Sequence, residues 1–155
     1  MKKKFSFLKS IILIFLISNC GFKVVDQSKL INFKVDSISI SGDNRVSYII
    51  KNKLLPYSKN NEKKIINLDI EVKKTKDIKE KNIKNEITKF QISITMNVQY
   101  GDNFSEKFEI SNKGDFLVTN QYSQTLNNEK KLIKTLSESL AEELIEKLME
   151  RVGDT

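Results

Sequence analysis

An alternation of apolar and polar side chains over eleven residues is the feature that most constrains how this chain can fold. Every second residue is apolar in the series Phe90, Ile92, Ile94, Met96, Val98 and Tyr100. The residues between them are polar, in the series Gln91, Ser93, Thr95, Asn97 and Gln99. Successive side chains of a β-strand point to opposite faces of a sheet, so this pattern predicts a long strand with one buried and one polar face.

Two more strands are predicted before this one. The first covers residues 33–40, and its apolar positions change parity between Val35 and Ile38, which indicates a bulge or a late strand start. The second runs near residues 65–74, where apolar residues again occupy every other position. Each of these segments therefore has the pattern of a strand that is half buried.

A fourth strand is predicted after the turn sequence Gly101-Asp102-Asn103 and begins at Phe104. Residues 112–115 read Asn-Lys-Gly-Asp, a combination typical of turns. They are expected to interrupt the strand, and residues 116–118 to continue or restart it. Strands two, three and four follow one another closely, which predicts an antiparallel meander.

Two amphipathic helices complete the pattern. The first follows the turn Gly42-Asp43-Asn44, which offers an N-cap, and ends at Pro56, which lacks an N–H and disfavours helical geometry before it. The second covers about residues 124–151, with apolar residues at three- and four-residue spacing: Leu126, Leu132, Ile133, Leu136, Leu140, Ala141, Leu144, Ile145 and Leu148. This stripe fits a core-facing side better than a coiled coil because it has no sustained heptad repeat.

The element order β-α-β-β-β-α predicts an α+β protein with a single domain over residues 33–155. Each strand has one apolar face, and each helix has one apolar stripe to cover it. We therefore expect a two-layer sandwich, in which two helices cover one face of a mostly antiparallel four-stranded sheet. The other face, which carries residues such as Gln91 and Thr95, is expected to be polar and open.

The N-terminus has the composition of an export signal. Residues 1–9 are basic, residues 11–17 are an unbroken apolar run, and Ser18-Asn19-Cys20 follows. This is the order of regions in a secretory signal peptide. The apolar run is too short to span a bilayer as a helix, which takes about 20 residues.

The cysteine at the end of the apolar run predicts a lipid anchor, because residues 16–20 resemble a lipobox. An ordinary signal peptide with an incidental cysteine, or a short membrane anchor, is the alternative. Gly21 follows where Asp would favour the inner membrane, so we expect the periplasmic side of the outer membrane. The predicted regions are a signal peptide over residues 1–19, an acylated Cys20, and a tether over residues 20–32.

Composition argues against catalysis, bound metal and nucleic acid. The chain has no His and one Cys, so the commonest general base, the commonest metal ligand and any thiolate cluster are missing. The net charge of +7 includes four lysines of the predicted signal peptide, and a mild excess without a basic face does not indicate a nucleic-acid partner. We predict a non-enzymatic protein without cofactor or metal.

The joint pattern resembles the LPS-assembly lipoprotein LptE family. The likeness rests on Cys20-Gly21-Phe22, on the order of elements, and on the run Val118–Ser123 that leads into a long C-terminal helix. It covers nearly all of the chain after the predicted cleavage site. The helix departs from the family in having more Lys and Glu and less Ala.

This resemblance implies a lipoprotein that plugs and helps assemble the large outer-membrane β-barrel inserting lipopolysaccharide into the outer leaflet. It also implies lipopolysaccharide as a ligand. The open polar sheet face would suit the polar lumen of a wide barrel, although a plain solvated face explains the same residues. The rival functions are a periplasmic auxiliary lipoprotein of an ABC-type lipid transporter and a structural lipoprotein that touches the cell wall.

A basic segment between the second and third strands is the candidate contact for lipopolysaccharide phosphates, because lysines commonly bind phosphate. A solubilising loop tip of mixed charge is the alternative. Tyr122 is expected to be a buried anchor at the start of the last helix. The six lysines of the segment are Lys73, Lys74, Lys76, Lys79, Lys81 and Lys84.

Overall fold

A computed structural model describes residues 33–58, 64–101 and 103–153. The predicted signal peptide, Cys20 and the tether lie outside these described residues. The predicted order of elements is confirmed. The elements are β1 (Phe33–Gly42), α1 (Asn44–Leu54), a short 3-10 helix (Leu55–Ser58), β2 (Lys64–Lys81), β3 (Ile87–Tyr100), β4 (Glu106–Leu117) and α2 (Tyr122–Gly153).

The four strands form one sheet in the order β1-β2-β3-β4. β1 is parallel to β2, because α1 carries the chain back between them, and the other two pairings are antiparallel. The register of β1 against β2 shifts between Val35 and Ser37, so the bulge predicted from the change of parity is confirmed. The extra residue moves Ile38 and Ile40 onto the apolar face shared with Val35.

Both helices cover the same face of the sheet, and the apolar positions of β3 lie beneath them. Ile92, Ile94 and Met96 are fully buried, as the alternation predicts. Opposite them, the stripe of α2 is buried at Leu136, Leu140 and Leu144, so the predicted core is confirmed. Burial of a side chain of this size contributes roughly 1.5–3 kcal/mol.

Helix α1 is fixed at its start by two neighbouring residues. The Oδ1 atom of Asp43 accepts hydrogen bonds from the N–H groups of Arg45 and Val46, at 3.2 and 3.1 Å, which confirms the predicted N-cap. Gly42 before it has φ +102°, and a Cβ atom there would lie 1.9 Å from the Val72 carbonyl oxygen. Only glycine can therefore make this close approach.

Two predicted strand boundaries are wrong. β2 continues to Lys81, seven residues beyond the expected end at residue 74, because it stays paired with β3 throughout. β4 runs without interruption through residues 112–115, which pair in regular register with residues 91–94 of β3. Tertiary contacts therefore override turn signals that are local in the sequence.

Tyr122 is also corrected by the structure. It begins α2, but its side chain is 81% exposed and is not the buried anchor that its place in the sequence suggested. The segment before the helix is ordered by Thr119 and Gln121 instead. The Gln121 carbonyl accepts hydrogen bonds from the N–H groups of Gln124 and Thr125, both at 3.1 Å, and starts the helix without the ring.

Candidate functional site

The sheet face that carries no helix is a polar surface to which all four strands contribute. Neighbouring strands place polar residues opposite one another across it, as in the row Lys73, Thr95 and Ser111. Cross-strand hydrogen bonds order the side chains: Ser37 donates to Asn67 at 2.7 Å, Asn97 to Glu71 at 3.2 Å, and Gln91 to Asp115 at 2.9 Å. The face is a polar, hydrogen-bonded platform four strands wide.

This platform carries groups that can form hydrogen bonds with a partner. Its acidic residues, such as Glu71 and Asp115, bind neighbouring amides, and no group of three His, Cys, Asp or Glu side chains within the described ranges could hold a metal ion. Hydroxyl and amide groups that point the same way can form hydrogen bonds with a second polar surface. What the arrangement can do chemically is therefore to hold a polar partner.

The six candidate lysines do not form one cluster. Lys73 lies opposite Thr95 on the open face, whereas Lys74 and Lys76 lie opposite Ile94 and Ile92 on the helix-covered face. The prediction of a single basic loop is therefore wrong for these three residues, because they belong to a strand and alternate in direction. Their use as lipopolysaccharide contacts stays a prediction.

Lys74 is bound to the N-cap of α1. Its Nζ atom lies 2.5 Å from Oδ2 of Asp43. Partial burial raises the pKa of Asp43. The Lys74 ammonium and the N–H groups of Val46 and Arg45 lower it by a larger amount, so the pKa lies below its ordinary value of 3.8. Lys74 therefore joins β2 to the start of α1 as an ion pair.

Lys76 makes a second connection, between β2 and the start of α2. Its Nζ atom lies 2.6 Å from Oε2 of Glu129. The same ammonium lies 4.5 Å from the centre of the Phe90 ring and 5.1 Å from that of Phe116, within the range of cation–π attraction. The ammonium is therefore held by a carboxylate and two rings, while the Lys76 side chain stays 36% exposed.

The remaining lysines lie at the outer end of the β2–β3 hairpin, which we define as residues 78–87. Lys79 and Lys81 are on the last part of β2, and Lys84 is in the turn. Asn82 builds that turn, because its Oδ1 accepts hydrogen bonds from the N–H groups of Lys84 and Glu86, at 2.9 and 3.0 Å. The structure thus brings three of the six predicted residues together.

Exposed apolar side chains at this outer end were missed by the sequence reasoning. Ile83 in the turn is fully exposed, and Ile78 on β2 is 52% exposed. Ile78 lies opposite Phe90 on the helix-covered face, but it extends past the helices. An isoleucine between Asn82 and Lys84 in a polar segment is the one signal that could have marked the turn as unusual.

Among the described residues, no helix combines the length and the apolar composition needed to cross a membrane. Helix α2 has 32 residues, but charged side chains such as Lys134 and Glu142 recur along its exposed side.

Comparisons with known proteins identify the fold. No protein-family model matches the chain, and no curated protein matches it in sequence. Rare lipoprotein B from Shewanella oneidensis has a similar structure, with a TM-score of 0.55 and 11% identity over 72% of this chain and 92% of that one. The protein has an LptE-like fold.

Two further solved structures share this LptE-like fold. A minor lipoprotein from Acinetobacter baumannii matches with a TM-score of 0.56 and 14% identity, over 75% of this chain and 89% of that one. Lipoprotein B from Nitrosomonas europaea matches with a TM-score of 0.57 and 10% identity, over 83% of this chain and 90% of that one. At such low identity the likeness concerns the fold, which is the fold that the sequence resemblance implied.

Proposed function

We propose that the protein is an outer-membrane lipoprotein, anchored through Cys20 on the periplasmic side, which plugs and helps assemble the β-barrel that inserts lipopolysaccharide into the outer leaflet. The open polar face of the sheet is the observation that carries this proposal. Hydroxyl, amide and charged side chains, such as Thr95, Gln91 and Lys73, make up most of it, and the helices leave it free. A surface of this kind suits contact with another polar surface.

The lipid anchor is supported by sequence and by fold. The apolar run that ends at Cys20 has the order of a lipoprotein signal, and the three similar structures are all described as lipoproteins. Several acyl chains together anchor a protein firmly, because each buried CH₂ contributes about 0.8 kcal/mol.

The plug is supported by polarity and size. The lumen of a wide outer-membrane barrel is polar, as is the open face of this sheet. A compact domain with the length of residues 33–153 has a radius of gyration of about 14 Å. An eight-stranded barrel has its interior filled with side chains, so the partner must be a much wider barrel.

A test of the anchor and the plug uses the full-length protein in cells. Labelled palmitate is expected to enter the wild type and not Cys20→Ala. Affinity purification of the labelled protein from membranes is expected to recover one large β-barrel protein, and depletion is expected to leave that barrel misassembled and lipopolysaccharide short of the cell surface.

Other outcomes would replace the proposal. Equal labelling of wild type and Cys20→Ala would end the lipoprotein assignment. Normal barrel maturation and normal surface lipopolysaccharide on depletion, together with failed phospholipid trafficking, would instead support an auxiliary lipoprotein of an ABC-type lipid transporter.

Lipopolysaccharide binding is proposed for the outer end of the hairpin. Replacing Lys79, Lys81 and Lys84 with Gln is expected to weaken binding in a salt-dependent way, because exposed charges are screened by salt. The matched control replaces three exposed lysines of α2 with Gln and makes the same change in net charge: Lys130, Lys131 and Lys134. Equal binding by both variants would assign the hairpin lysines to solubility alone.

A further inference from the structure

The end of the domain where β1 starts is also the place where the predicted tether joins. Phe33 pairs with Lys64 at the start of β2, and Tyr100 at the end of β3 pairs with Glu106 at the start of β4. The last turn of α2 reaches the same place, since Lys64, Tyr100 and Arg151 line one cavity of about 530 Å³. We call this the tether end.

The proposed anchor holds the tether end close to a bilayer. Twelve residues lie between the proposed acylation site, Cys20, and Phe33, and a chain of that length spans at most about 45 Å. The outer end of the hairpin is farther away, because the 18 residues of β2 rise about 3.3 Å each and extend the domain by about 55 Å. A short tether gives any weak contact between the tether end and that bilayer a high effective concentration.

Two apolar side chains protrude at the tether end. Ile65, the second residue of β2, is 55% exposed, and Phe104, in the loop between β3 and β4, is 42% exposed. Phe104 has φ +54°, a left-handed conformation that is unfavourable for a bulky residue. Its ring lies partly at the surface of the loop that follows Tyr100.

Cationic side chains lie beside these apolar ones. Lys64 precedes Ile65, and Arg151 lies across the cavity, which Ser105 and Glu106 also line. Arginine binds phosphate oxygens with its planar, two-pronged guanidinium group. An aromatic and an aliphatic side chain flanked by Lys and Arg is the combination found where proteins meet the interfacial layer of a membrane.

We propose that the tether end rests on the bilayer that holds the acyl chains of Cys20. Phe104 and Ile65 enter the interfacial layer, and Lys64 and Arg151 meet lipid phosphates. The domain thus stands on the membrane and projects its hairpin away from it. This inference concerns the lipoprotein on its own, before it occupies a barrel, and it rests on the proposed acylation of Cys20.

A side-on orientation agrees less well with the surface. Between the two ends, α2 exposes charged residues, among them Lys131, Lys134 and Glu142. Laying this helix on the bilayer would bring carboxylates such as Glu142 against lipid phosphates of the same charge, which is unfavourable. The outer end of the hairpin has exposed isoleucines of its own, but a domain standing on its tether end holds them far from the same bilayer.

The test places a fluorescent label at either end of the full-length, acylated protein in vesicles of phosphatidylethanolamine and phosphatidylglycerol with nitroxide-labelled lipids. Ser105→Cys reports on the tether end and Lys84→Cys on the hairpin, and acylation blocks the native cysteine. We expect the label at 105 to be quenched at least threefold more strongly than the label at 84. Equal quenching, or stronger quenching at 84, overturns the proposal.

A second comparison separates apolar contact from simple proximity. Adding Phe104→Ser and Ile65→Ser to the Ser105→Cys protein is expected to reduce its quenching at least twofold. The matched control adds Tyr48→Ser, which removes an exposed ring from α1, and is expected to leave quenching unchanged. If quenching is the same with and without Phe104→Ser and Ile65→Ser, the proposed contact of these side chains with the bilayer is wrong.

Two readouts distinguish failure of this inference from failure of the proposed function. The mass of the protein shows whether Cys20 carries its acyl chains, and flotation shows whether the protein stays on the vesicles. A protein that is not acylated contradicts both proposals. A protein that is acylated and floats, but whose two labels are quenched alike, contradicts only the end-on contact.

Discussion

The centre and the margin of the helix-covered sheet face are stabilised in different ways. At the centre, Ile92, Ile94 and Met96 of β3 are apolar and fully buried. Beside Ile92 and Ile94 in the same rows, β2 and β4 present residues that a core does not ordinarily use. These marginal residues are Lys74 and Lys76 on β2, and Asn112 and Gly114 on β4.

Each marginal residue has a specific partner in place of general apolar packing. Lys74 binds Asp43, Lys76 binds Glu129, and the Asn112 amide donates to Oγ of Ser139 at 3.3 Å. Gly114 leaves room for α2, since a Cβ atom there would lie 2.7 Å from Cδ1 of Leu132. The comparison teaches that a strand can continue where its inward residues are polar, provided that the neighbouring helices supply partners.

The largest effect is expected at the centre. Ile94→Asp should unfold the domain, because an unpaired buried charge costs several kcal/mol. Thr95→Asp, one residue away on the open face, should cost below about 1 kcal/mol. Chemical denaturation monitored by circular dichroism measures both, and equal losses would mean that the burial pattern assigned to β3 is wrong.

A smaller effect is expected at the close contact with α2. Gly114→Val should lower the free energy of unfolding by about 1–3 kcal/mol, the usual cost of overpacking. Leu132→Ala in the same chain should recover part of that loss, which a double-mutant cycle measures. Lys113→Val, on the opposite face of β4, is the control. If it costs as much as Gly114→Val, the contact with Leu132 is not the cause.

The Lys76 contact should contribute less. Glu129→Gln removes the ion pair but keeps the length of the side chain, and we expect a loss of about 0.5–1 kcal/mol because both partners are partly solvated. High salt should reduce the loss. Glu138→Gln tests a pair with Lys134 that is 3.9 Å long and should change stability very little. Equal losses of stability from Glu129→Gln and Glu138→Gln would show that the Lys76 pair contributes no more than the Lys134 pair.

The smallest effect is expected to depend on pH. Asp43→Asn keeps an N-cap but removes the charge that Lys74 binds. Because the folded pKa of Asp43 lies below 3.8, the carboxylate adds stability above the unfolded pKa, and this is lost as pH falls through the folded pKa. The difference between wild type and variant, below about 1 kcal/mol at pH 7, should vanish near pH 2 in thermal melts.

A difference that persists at pH 2 would show that Asn disturbs the cap itself. Lys74→Met offers the complementary measurement, because without the ammonium the effect of Asp43→Asn at pH 7 should shrink. If the effect of Asp43→Asn is the same in the Lys74→Met protein, the lowered pKa of Asp43 is due to the backbone N–H donors alone.

The candidate site was predictable where it depends on a repeating sequence pattern, and it was not where it depends on tertiary contacts. The polar face of β3 is predictable, because the row from Gln91 to Gln99 alternates with buried residues. The separation of Lys73 from Lys74 is predictable as well, because both lie in the strand expected over residues 65–74, whereas the position of Lys76 depends on how far β2 continues. Nor could a local pattern show that Tyr122 would be exposed, because the Thr119–Gln121 segment starts the helix without it.

By itself, the sequence determined the elements whose periodicity is strong: β3, the first half of β2, the stripe of α2 and the cap at Asp43. It determined them because side-chain direction repeats every two residues in a strand and about every 3.6 in a helix. Only the tertiary structure decided that β2 reaches Lys81 and that β4 passes through Gly114. The physical reason is that these stretches gain stability from pairing with β3 and from partners on the helices, and both lie far away in the sequence.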